Sequence, residues 1–548
     1  MPEIVVTLDI GGSGVKASCF DVSGDLATTA AAVPYPPGTS DDGGTFDPDV
    51  WADTATAALT QIVARCPARA HQYLGITVSA IRIPFVLLDA DQRVVGPSLL
   101  NRDRRALPIV DELVAAIGHR ALHRTTGHWA APEFGLPKLL WIRRNYPDAW
   151  SRVRTVIQLH DWFVFRLCGA IASEASSAAM SQMMDVAAGT WAFDLLAAEC
   201  GIGPEMLPEF AAAGSRAGGL LGAVAEQVGL PAGLPVHLGG GDTHMSALAA
   251  GGQVSGDPVV VAGTTGPVQL AVESPLNLDA WFPLLVSPLP GSPRPGRPRP
   301  GRPLPGRPRP VGTGWALESN TGPTGEIVDR LRDLSQLSDE DLRAALLARG
   351  FHVDSTLSSS DGSFDGLTIL AGNPFFGPSG WHSWPAPTIF GLTPRHTGAD
   401  LLGAARTGTC LALSEVLDQL SGASGSRSDT VIATGGMSRS ATWSQTLADV
   451  TGRSVLVREL DHVSGLAGAA LVAGVSAESL FGDLQATRYT PDASRRADLR
   501  RSVEAYCRLY AASQARSQEN PFPAISAISP ANPPHDQRDE VDVHASPH

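Results

Sequence analysis

A run of glycines leads to a single carboxylate in the segment LGGGDTHMSALAAG, residues 238–251. Asp242 follows three glycines directly, and the small residues after it are compatible with a helix. Glycines let a backbone approach a ligand closely, and a fixed carboxylate can accept the proton of a reacting hydroxyl. An aspartate at a helix start can also simply cap that helix. The spacing alone leaves both roles open for Asp242.

Two further segments place glycine and hydroxyl residues between strand-like runs, VVTLDIGGSGVKASCFD at 5–21 and VVVAGTTGPVQLAV at 259–272. The first does not have the glycine spacing of a dinucleotide fingerprint, and its Lys16 follows Val15, so it does not have the Gly-Lys-Ser/Thr of a P-loop. A glycine hairpin can surround a phosphate with backbone N–H groups, although a plain tight turn also explains each one alone. Two of them predict two similar domains around one polyphosphate. The candidate phosphate contacts are Gly11, Gly12, Ser13, Gly263, Thr264 and Thr265.

Asp9 stands directly before the first glycine turn. Its carboxylate would repel a bare phosphate, but carboxylate oxygens suit Mg²⁺, held directly or through water. We therefore expect Asp9 to organise the metal of a nucleotide–magnesium complex. The histidines show no metal-ligand spacing, so a zinc site is not expected.

The elements that must position these residues alternate between strands and helices. Residues 4–10, 74–80, 85–90 and 429–434 are apolar, strand-like runs, and the first is a buried strand by its β-branched content. Helices are expected at Pro137–Asn145, at 399–420 and from Ala441 onward. This alternation indicates an α/β fold with layered sheets and helices.

Length and composition limit the class of protein. A chain of 548 residues exceeds one ordinary core, and a net charge of −14 argues against nucleic-acid and anionic-membrane binding. We expect no signal peptide and no membrane span, and the six scattered cysteines suit a reduced, cytoplasmic setting.

Residues 288–310 repeat Pro-Gly-Arg, which indicates a surface insert. This insert is either a tolerated loop expansion or a site for a proline-recognising protein partner. The polar tail 516–548 is expected to be disordered.

The chain resembles the FGGY family of carbohydrate kinases, within the actin–hexokinase–Hsp70 ATPase superfamily, over about residues 4–475. LDIGGSGVKASCFD and AGTTG resemble the family's two phosphate hairpins. PKLLWIRRNYPDAW and LHDWFVFRLCGAIASEASSA are similar to its middle segments, and residues 433–474 resemble its long C-terminal signature. The resemblance implies two actin-like, ribonuclease H-like domains, 1–251 and 252–515, that close a cleft over ATP, Mg²⁺ and a sugar or polyol.

The resemblance also implies roles for individual residues. Asp242 takes the place of the catalytic base, and Gly435, Gly436 and Met437 that of the adenosine-binding turn. Asp103 and Arg105 match an Asp-x-Arg pair near the sugar, although they could equally form an ordinary salt bridge. Asn320 lies in a segment similar to one near the cleft. Homodimers are common in this family.

The substrate segments depart from the family pattern. Many members carry a Gln/Met-His pair after the strand at 74–80, where this chain has Ala80, Ile81 and Arg82. Arg82 could read an anionic or highly hydroxylated substrate, but a surface charge is the favoured interpretation. Trp381 and Trp384 could stack on a sugar or pack in a core or lid. A non-catalytic sugar or nucleotide sensor, or an interaction ATPase, therefore stays an alternative to a kinase.

Overall fold

The fold is built on two mixed β-sheets, one from each half of the chain. A computed structural model of the protein describes residues 3–22, 28–39, 44–66, 70–252, 256–272, 283–287, 314–322, 324–335, 366–373, 387–426, 428–458, 463–474 and 486–518. The predicted insert 288–310, Trp381, Trp384 and the tail from residue 519 lie outside these described residues.

The first sheet has six strands in the order β5-β6-β4-β1-β2-β3. These strands are β1 Ile4–Ile10, β2 Gly14–Asp21, β3 Thr28–Pro34, β4 Tyr73–Ala80, β5 Arg216–Gly219 and β6 Pro235–Gly241. Strands β1, β2 and β3 form an antiparallel meander, and β1, β4 and β6 run parallel. The three parallel strands therefore end at one edge of this sheet.

The second sheet has seven strands in the order β9-β10-β8-β7-β11-β12-β13. These strands are β7 Val259–Val261, β8 Pro267–Val272, β9 Leu284–Ser287, β10 Gly314–Asn320, β11 Thr430–Thr434, β12 Ser454–Arg458 and β13 Ala486–Tyr489. Strands β7, β8 and β10 are antiparallel neighbours, and β7, β11 and β12 run parallel. The second sheet thus repeats the plan of the first, which confirms the predicted α/β class with two related domains.

The described residues form fifteen α-helices, α1 to α15. They are α1 Pro48–Arg65, α2 Leu107–Ala116, α3 His119–Thr126, α4 Gly135–Asn145, α5 Pro147–Arg152, α6 Leu159–Cys168, α7 Ala175–Ala179, α8 Phe193–Cys200, α9 Gly222–Val228, α10 Asp242–Ala249, α11 Thr324–Ser335, α12 Gly398–Ser424, α13 Ala441–Thr451, α14 Val463–Ala473 and α15 Ala493–Gln518. Short strand pairs complete the described fold: Thr45–Phe46 with Ser98–Leu99, Phe85–Leu88 with Thr155–Gln158, Ser173–Glu174 with Phe210–Ala211, Met184–Asp185 with Thr190–Trp191, and Thr368–Leu370 with Thr388–Phe390.

Capping residues in the sequence mark the starts of two of these helices. Helix α1 starts with a proline and is capped by Asp47, whose carboxylate accepts the N–H of Asp49. Helix α12 carries a capping box in which Thr397 and Asp400 bond each other's backbone N–H groups. None of the described helices is long and apolar enough to cross a bilayer.

Helix α14 belongs to the predicted second domain, 252–515, but packs on the first sheet, against β1 and β4. A Cβ at Gly465 or Gly468 would lie within 3.0 Å of the side chains of Thr7 and Thr77, so these glycines permit the close approach. Helix α14 also packs on α10, the helix that begins at Asp242. The chain therefore returns to its first sheet after building most of its second.

Candidate active site

Three chain segments that could do chemistry meet where the parallel strands of the first sheet end. Ile10 of β1 pairs with Ala80 of β4, and Ala80 pairs with Gly241 of β6. The N–H of Ile81 donates to the carbonyl of Ile10 at 2.9 Å. The first glycine turn, Arg82 and Asp242 consequently follow neighbouring strand ends.

The glycines before Asp242 are required by close packing. The register of β6 against β4 shifts between Leu238 and Gly240, which makes a bulge at Gly239. A Cβ at Gly239 would lie far inside van der Waals distance of the Val78 carbonyl, and one at Gly241 would collide with the Arg82 side chain. The strand end therefore needs glycine to bring Asp242 to the sheet edge.

Asp242 is the first residue of helix α10, and its Oδ1 accepts the N–H of Thr243 at 2.7 Å. Its side chain keeps 34% of its surface exposed, whereas the next two residues, Thr243 and His244, are buried. The carboxylate is thus tied to the helix start through one oxygen and still open to a ligand. These contacts are compatible with both roles that the sequence leaves open.

Arg82 is buried, so the surface-charge interpretation is wrong. Its side chain is 7% exposed and donates two hydrogen bonds of 2.8 Å to the two carboxylate oxygens of Glu318, which is 3% exposed. Its Nη2 also donates to Oγ1 of Thr243 at 3.0 Å, and its Nε lies 3.6 Å from Oδ1 of Asp242. Because Glu318 lies in β10, this ion pair joins the ends of the two sheets.

The charges of the cluster formed by Arg82, Asp242 and Glu318 change the pKa of its ionisable groups. Burial raises the pKa of Asp242, and the nearby Arg82 guanidinium offsets part of that rise. Burial lowers the pKa of Arg82, but the Glu318 carboxylate outweighs this effect and keeps its pKa above the usual value. Burial and Arg82 hold the pKa of His244 well below its usual range, so this histidine is neutral. Asp242 is therefore a carboxylate with an increased proton affinity beside a fixed cation.

Glu318 and Gln269 are site residues that the sequence did not reveal. Gln269 in β8 donates from Nε2 to Oε2 of Glu318 at 2.6 Å, and both side chains are buried. The signal available was an acid directly after the apolar residues Trp315, Ala316 and Leu317 of the strand GWALESN. A buried acid needs a partner, but the sequence does not name it.

The first glycine turn forms as predicted between β1 and β2. The N–H of Gly11 donates to the carbonyl of Gly14 at 3.0 Å, and the Tyr35 hydroxyl donates to the carbonyl of Gly11 at 3.0 Å. A Cβ at Gly12 would meet nothing within 4 Å, which leaves the turn open. Asp9 lies in β1 opposite Lys16 of β2, two residues before this turn. Burial, and then the nearby Asp9 carboxylate, raise the pKa of Tyr35.

The second glycine turn and the predicted adenosine turn lie together. The N–H of Gly263 donates to the carbonyl of Thr265 at 3.1 Å, and the N–H of Met437 donates to the carbonyl of Ala262 at 3.0 Å. Gly435 has a φ of 97°, and a Cβ there would lie 2.7 Å from the same Ala262 carbonyl. At Gly436 a Cβ would meet nothing within 4 Å. The ends of β7 and β11 thus present an open backbone surface.

The remaining predicted sugar contacts have local partners. Asp103 is fully buried and accepts the backbone N–H of Arg105 at 2.9 Å, and the Arg105 guanidinium bonds its carboxylate and Thr45. Oδ1 of Asn320 accepts the N–H of Gly322 at 2.9 Å. None of these contacts joins Asp103, Arg105 or Asn320 to Asp242.

Comparison with known proteins decides the family. Sequence models of the N-terminal and C-terminal domains of the FGGY family of carbohydrate kinases match residues 4–249 and 296–477. The chain belongs to the FGGY family of carbohydrate kinases. As a member of this family it is an ATP-dependent sugar kinase, and ATP is its phosphoryl donor.

Several FGGY kinases resemble the chain over most of its length. The xylulose kinase of Escherichia coli K12 is 27% identical over 519 residues, which are 92% of this chain and 98% of that protein. The autoinducer-2 kinase of Salmonella typhimurium LT2 is 26% identical over 486 residues, 86% of each chain. The ligand-bound xylulose kinase of Lactobacillus acidophilus has the same fold, with a TM-score of 0.78 at 18% identity over 94% of this chain and 99% of that one.

Proposed function

We propose that this FGGY kinase transfers the γ-phosphoryl group of ATP to a hydroxyl of a sugar, ketose or polyol, with Asp242 as the general base. The observation that carries the proposal is the Asp242 carboxylate, which is open to a ligand at the shared edge of three parallel strands. Its raised proton affinity suits a base that accepts the hydroxyl proton as the attack proceeds. Phosphoryl transfer otherwise depends on positioning and charge stabilisation.

The two glycine turns supply the positioning of ATP in this proposal. Gly11, Gly12 and Ser13 offer backbone and hydroxyl groups on one side, and Gly263, Thr264 and Thr265 do so on the other. Gly435, Gly436 and Met437 receive adenosine beside the second turn. The support is the open backbone at Gly12 and Gly436, where a side chain would meet only empty space in the free protein.

Asp9 is the proposed magnesium contact. Among the described residues no group of three or more His, Cys, Asp or Glu could hold a metal ion. The donor set fits Mg²⁺, because this ion commonly binds through one or two carboxylates, waters and substrate phosphates. When bound, Mg²⁺ neutralises charge on the phosphates.

The net charge of the cluster formed by Arg82, Asp242 and Glu318 favours an uncharged acceptor. Arg82 is doubly bonded to Glu318 and lies near Asp242, so one cation faces two carboxylates while His244 is neutral. A carboxylate or phosphate on the acceptor would meet net negative charge. The relatives named xylulose kinase and autoinducer-2 kinase agree with a small hydroxylated acceptor. Asp103, Arg105 and Asn320 stay proposed contacts for its hydroxyl groups.

The test measures ADP release from ATP and Mg²⁺ across pentuloses, hexuloses, tetritols and pentitols, for the native protein and Asp242→Asn. We expect acceptor-dependent release that falls by about 10²- to 10⁴-fold in the variant, with ATP binding retained. Asp185→Asn is the matched control, because Asp185 also accepts backbone N–H groups in a turn. Full activity in Asp242→Asn rules out the base, and ATP binding without release on any acceptor points to a sensor.

A further inference from the structure

Two buried side-chain pairs lie behind the glycine segment that leads to Asp242. One pair is His160 and Asp161 in helix α6, and the other is Glu174 and Ser176 at the start of α7. All four side chains are at most 1% exposed. Nothing in the proposed transfer of the phosphoryl group uses them directly, yet buried polar groups of this kind are costly unless they are paired.

The first pair bonds the bulge in β6. Oδ1 of Asp161 lies 3.0 Å from Nδ1 of His160, and its Oδ2 accepts the Ser173 hydroxyl at 2.7 Å. The N–H of Gly239 donates to Nε2 of His160 at 3.3 Å. These contacts place the ring proton on Nδ1, because Nε2 accepts the N–H of Gly239. The carboxylate thus fixes the tautomer that can hold the Gly239 peptide.

The second pair bonds the peptide between Gly240 and Gly241, one peptide before Asp242. Glu174 accepts the N–H of Ser176 at 2.9 Å, the N–H of Ser177 at 3.0 Å and the Ser176 hydroxyl at 2.5 Å. The Ser176 Oγ in turn accepts the N–H of Gly241 at 3.4 Å. A Cβ at Gly240 would lie 3.0 Å from this Oγ, so the glycine segment rests directly on the pair.

The glycine segment needs an external support of this kind. Glycine loses more conformational freedom on folding than any other residue, and three consecutive glycines have no side chains with which to anchor themselves. The bulge at Gly239 also interrupts the pairing of β6 with β4. The Ser176 bond holds the peptide between Gly240 and Gly241. Only the two backbone torsions of Gly241 and the φ torsion of Asp242 separate this peptide from the Asp242 Cα–Cβ bond, so the hydrogen bond limits the directions in which that bond can point.

We propose that His160 and Ser176, oriented by Asp161 and Glu174, are positioning residues that aim the Asp242 carboxylate at the acceptor hydroxyl. They touch neither substrate, and they act only through the backbone of residues 239–241. This proposal rests on the proposed base role of Asp242. A misplacement of about 1 Å in a reacting group can lower a rate by about 100-fold, so loss of one anchor should reduce kcat.

The experiment is a double-mutant cycle of Ser176→Ala with Asp242→Asn in the full-length kinase, using the best acceptor of the panel. We expect Ser176→Ala to lower kcat by about 10- to 100-fold in the native background, with KM for ATP unchanged. In the Asp242→Asn background the same substitution should lower kcat less than about 2-fold, because no base is left to aim. Glu174→Gln should behave like Ser176→Ala, to a smaller degree.

The control is Ser181→Ala. Ser181 is fully buried, and its hydroxyl, like that of Ser176, both donates and accepts a hydrogen bond. It donates to the carbonyl of Ala178 at 2.6 Å and accepts the N–H of Met183 at 3.1 Å. Equal kcat losses in both Asp242 backgrounds, or a loss no larger than in Ser181→Ala, would overturn the positioning role. Full activity in Asp242→Asn alone would remove the base and this proposal with it, and that outcome is visible in the single variant.

Discussion

Substitution of Arg82 by methionine tests whether this buried cation sets the protonation of Asp242. The change keeps an unbranched side chain of similar reach but removes the charge 3.6 Å from Oδ1 of Asp242. It also removes the two hydrogen bonds to Glu318. The substitution should therefore raise the proton affinity of Asp242 and destabilise the contact between the two sheets.

The size of the pKa change follows from the distance and the exposure. Two unit charges about 4 Å apart interact by about 1 kcal/mol in water and about 4 kcal/mol near a protein surface. Because a third of the Asp242 side chain is exposed, screening favours the lower part of this range. About 1.4 kcal/mol corresponds to one pKa unit, so Arg82→Met should raise the pKa of Asp242 by about one unit.

The assay is the pH profile of kcat/KM for the acceptor, from about pH 5 to about pH 9. The base works ionised, so a higher pKa of Asp242 moves the acidic limb of the profile upward by about one pH unit in Arg82→Met. Arg453→Met is the matched control, because Arg453 is 12% exposed and bonds Asp418 at 3.0 Å. A lower plateau with an unmoved acidic limb would contradict this prediction, since Arg82 would then act on something other than Asp242.

Thermal stability supplies an independent check on the same variant. Arg82→Met leaves the Glu318 carboxylate buried with its hydrogen bond from Gln269 but without the arginine cation. Removal of one partner of a buried ion pair lowers the free energy of unfolding by about 3 to 5 kcal/mol. Adding Glu318→Gln removes the stranded charge and should restore much of the lost Tm. It should also move the acidic limb part of the way back, because the Glu318 charge itself raises the pKa of Asp242.

Three other substitutions have defined outcomes. Gly436→Ala should raise KM for ATP by about 10-fold at unchanged Tm, because a side chain there meets only space that adenosine would fill; an unchanged KM would contradict this. Gly435→Ala should instead lower Tm, because its φ is 97° and its Cβ would strike Ala262; an unchanged Tm would count against that backbone. Lys138 is buried, and burial lowers its pKa from 10.5 to about 7. Between about pH 7 and pH 10.5 the unfolded chain therefore binds a proton on Lys138 that the folded chain does not bind. The free energy of unfolding should therefore rise with pH by up to about 1.4 kcal/mol per unit there, and Lys138→Met should flatten the rise of Tm; equal slopes would contradict the shift.

The strands and turns that frame the site follow from local sequence. Ile4–Ile10 is predicted as a strand and forms one, and the glycine turn after it leads to an antiparallel partner, as the alternation at 14–21 indicates. The helix after Asp242 also forms where small residues predict it. Each of these features depends on neighbours a few residues away, so a single sequence contains the information.

The polar contacts of the site depend on residues far apart in the chain. Arg82 and Glu318 are separated by 236 positions, and the sequence shows only one charge in each of two apolar runs. A charge in such a run needs either solvent or a partner, and the choice between them depends on how two sheets meet. The support of Gly239 by His160 is hidden in the same way, because it crosses 79 positions and depends on a bulge.

The return of helix α14 to the first sheet has a consequence for the order of folding during synthesis. Strands β1 and β4 leave the ribosome early, but the helix that covers them spans residues 463–473. Until that helix emerges, the apolar surface that it will cover stays open, although N-terminal domains generally fold first as units. The nascent kinase therefore completes its first half almost last, and a chain cut before residue 463 would expose a surface suited to chaperone binding.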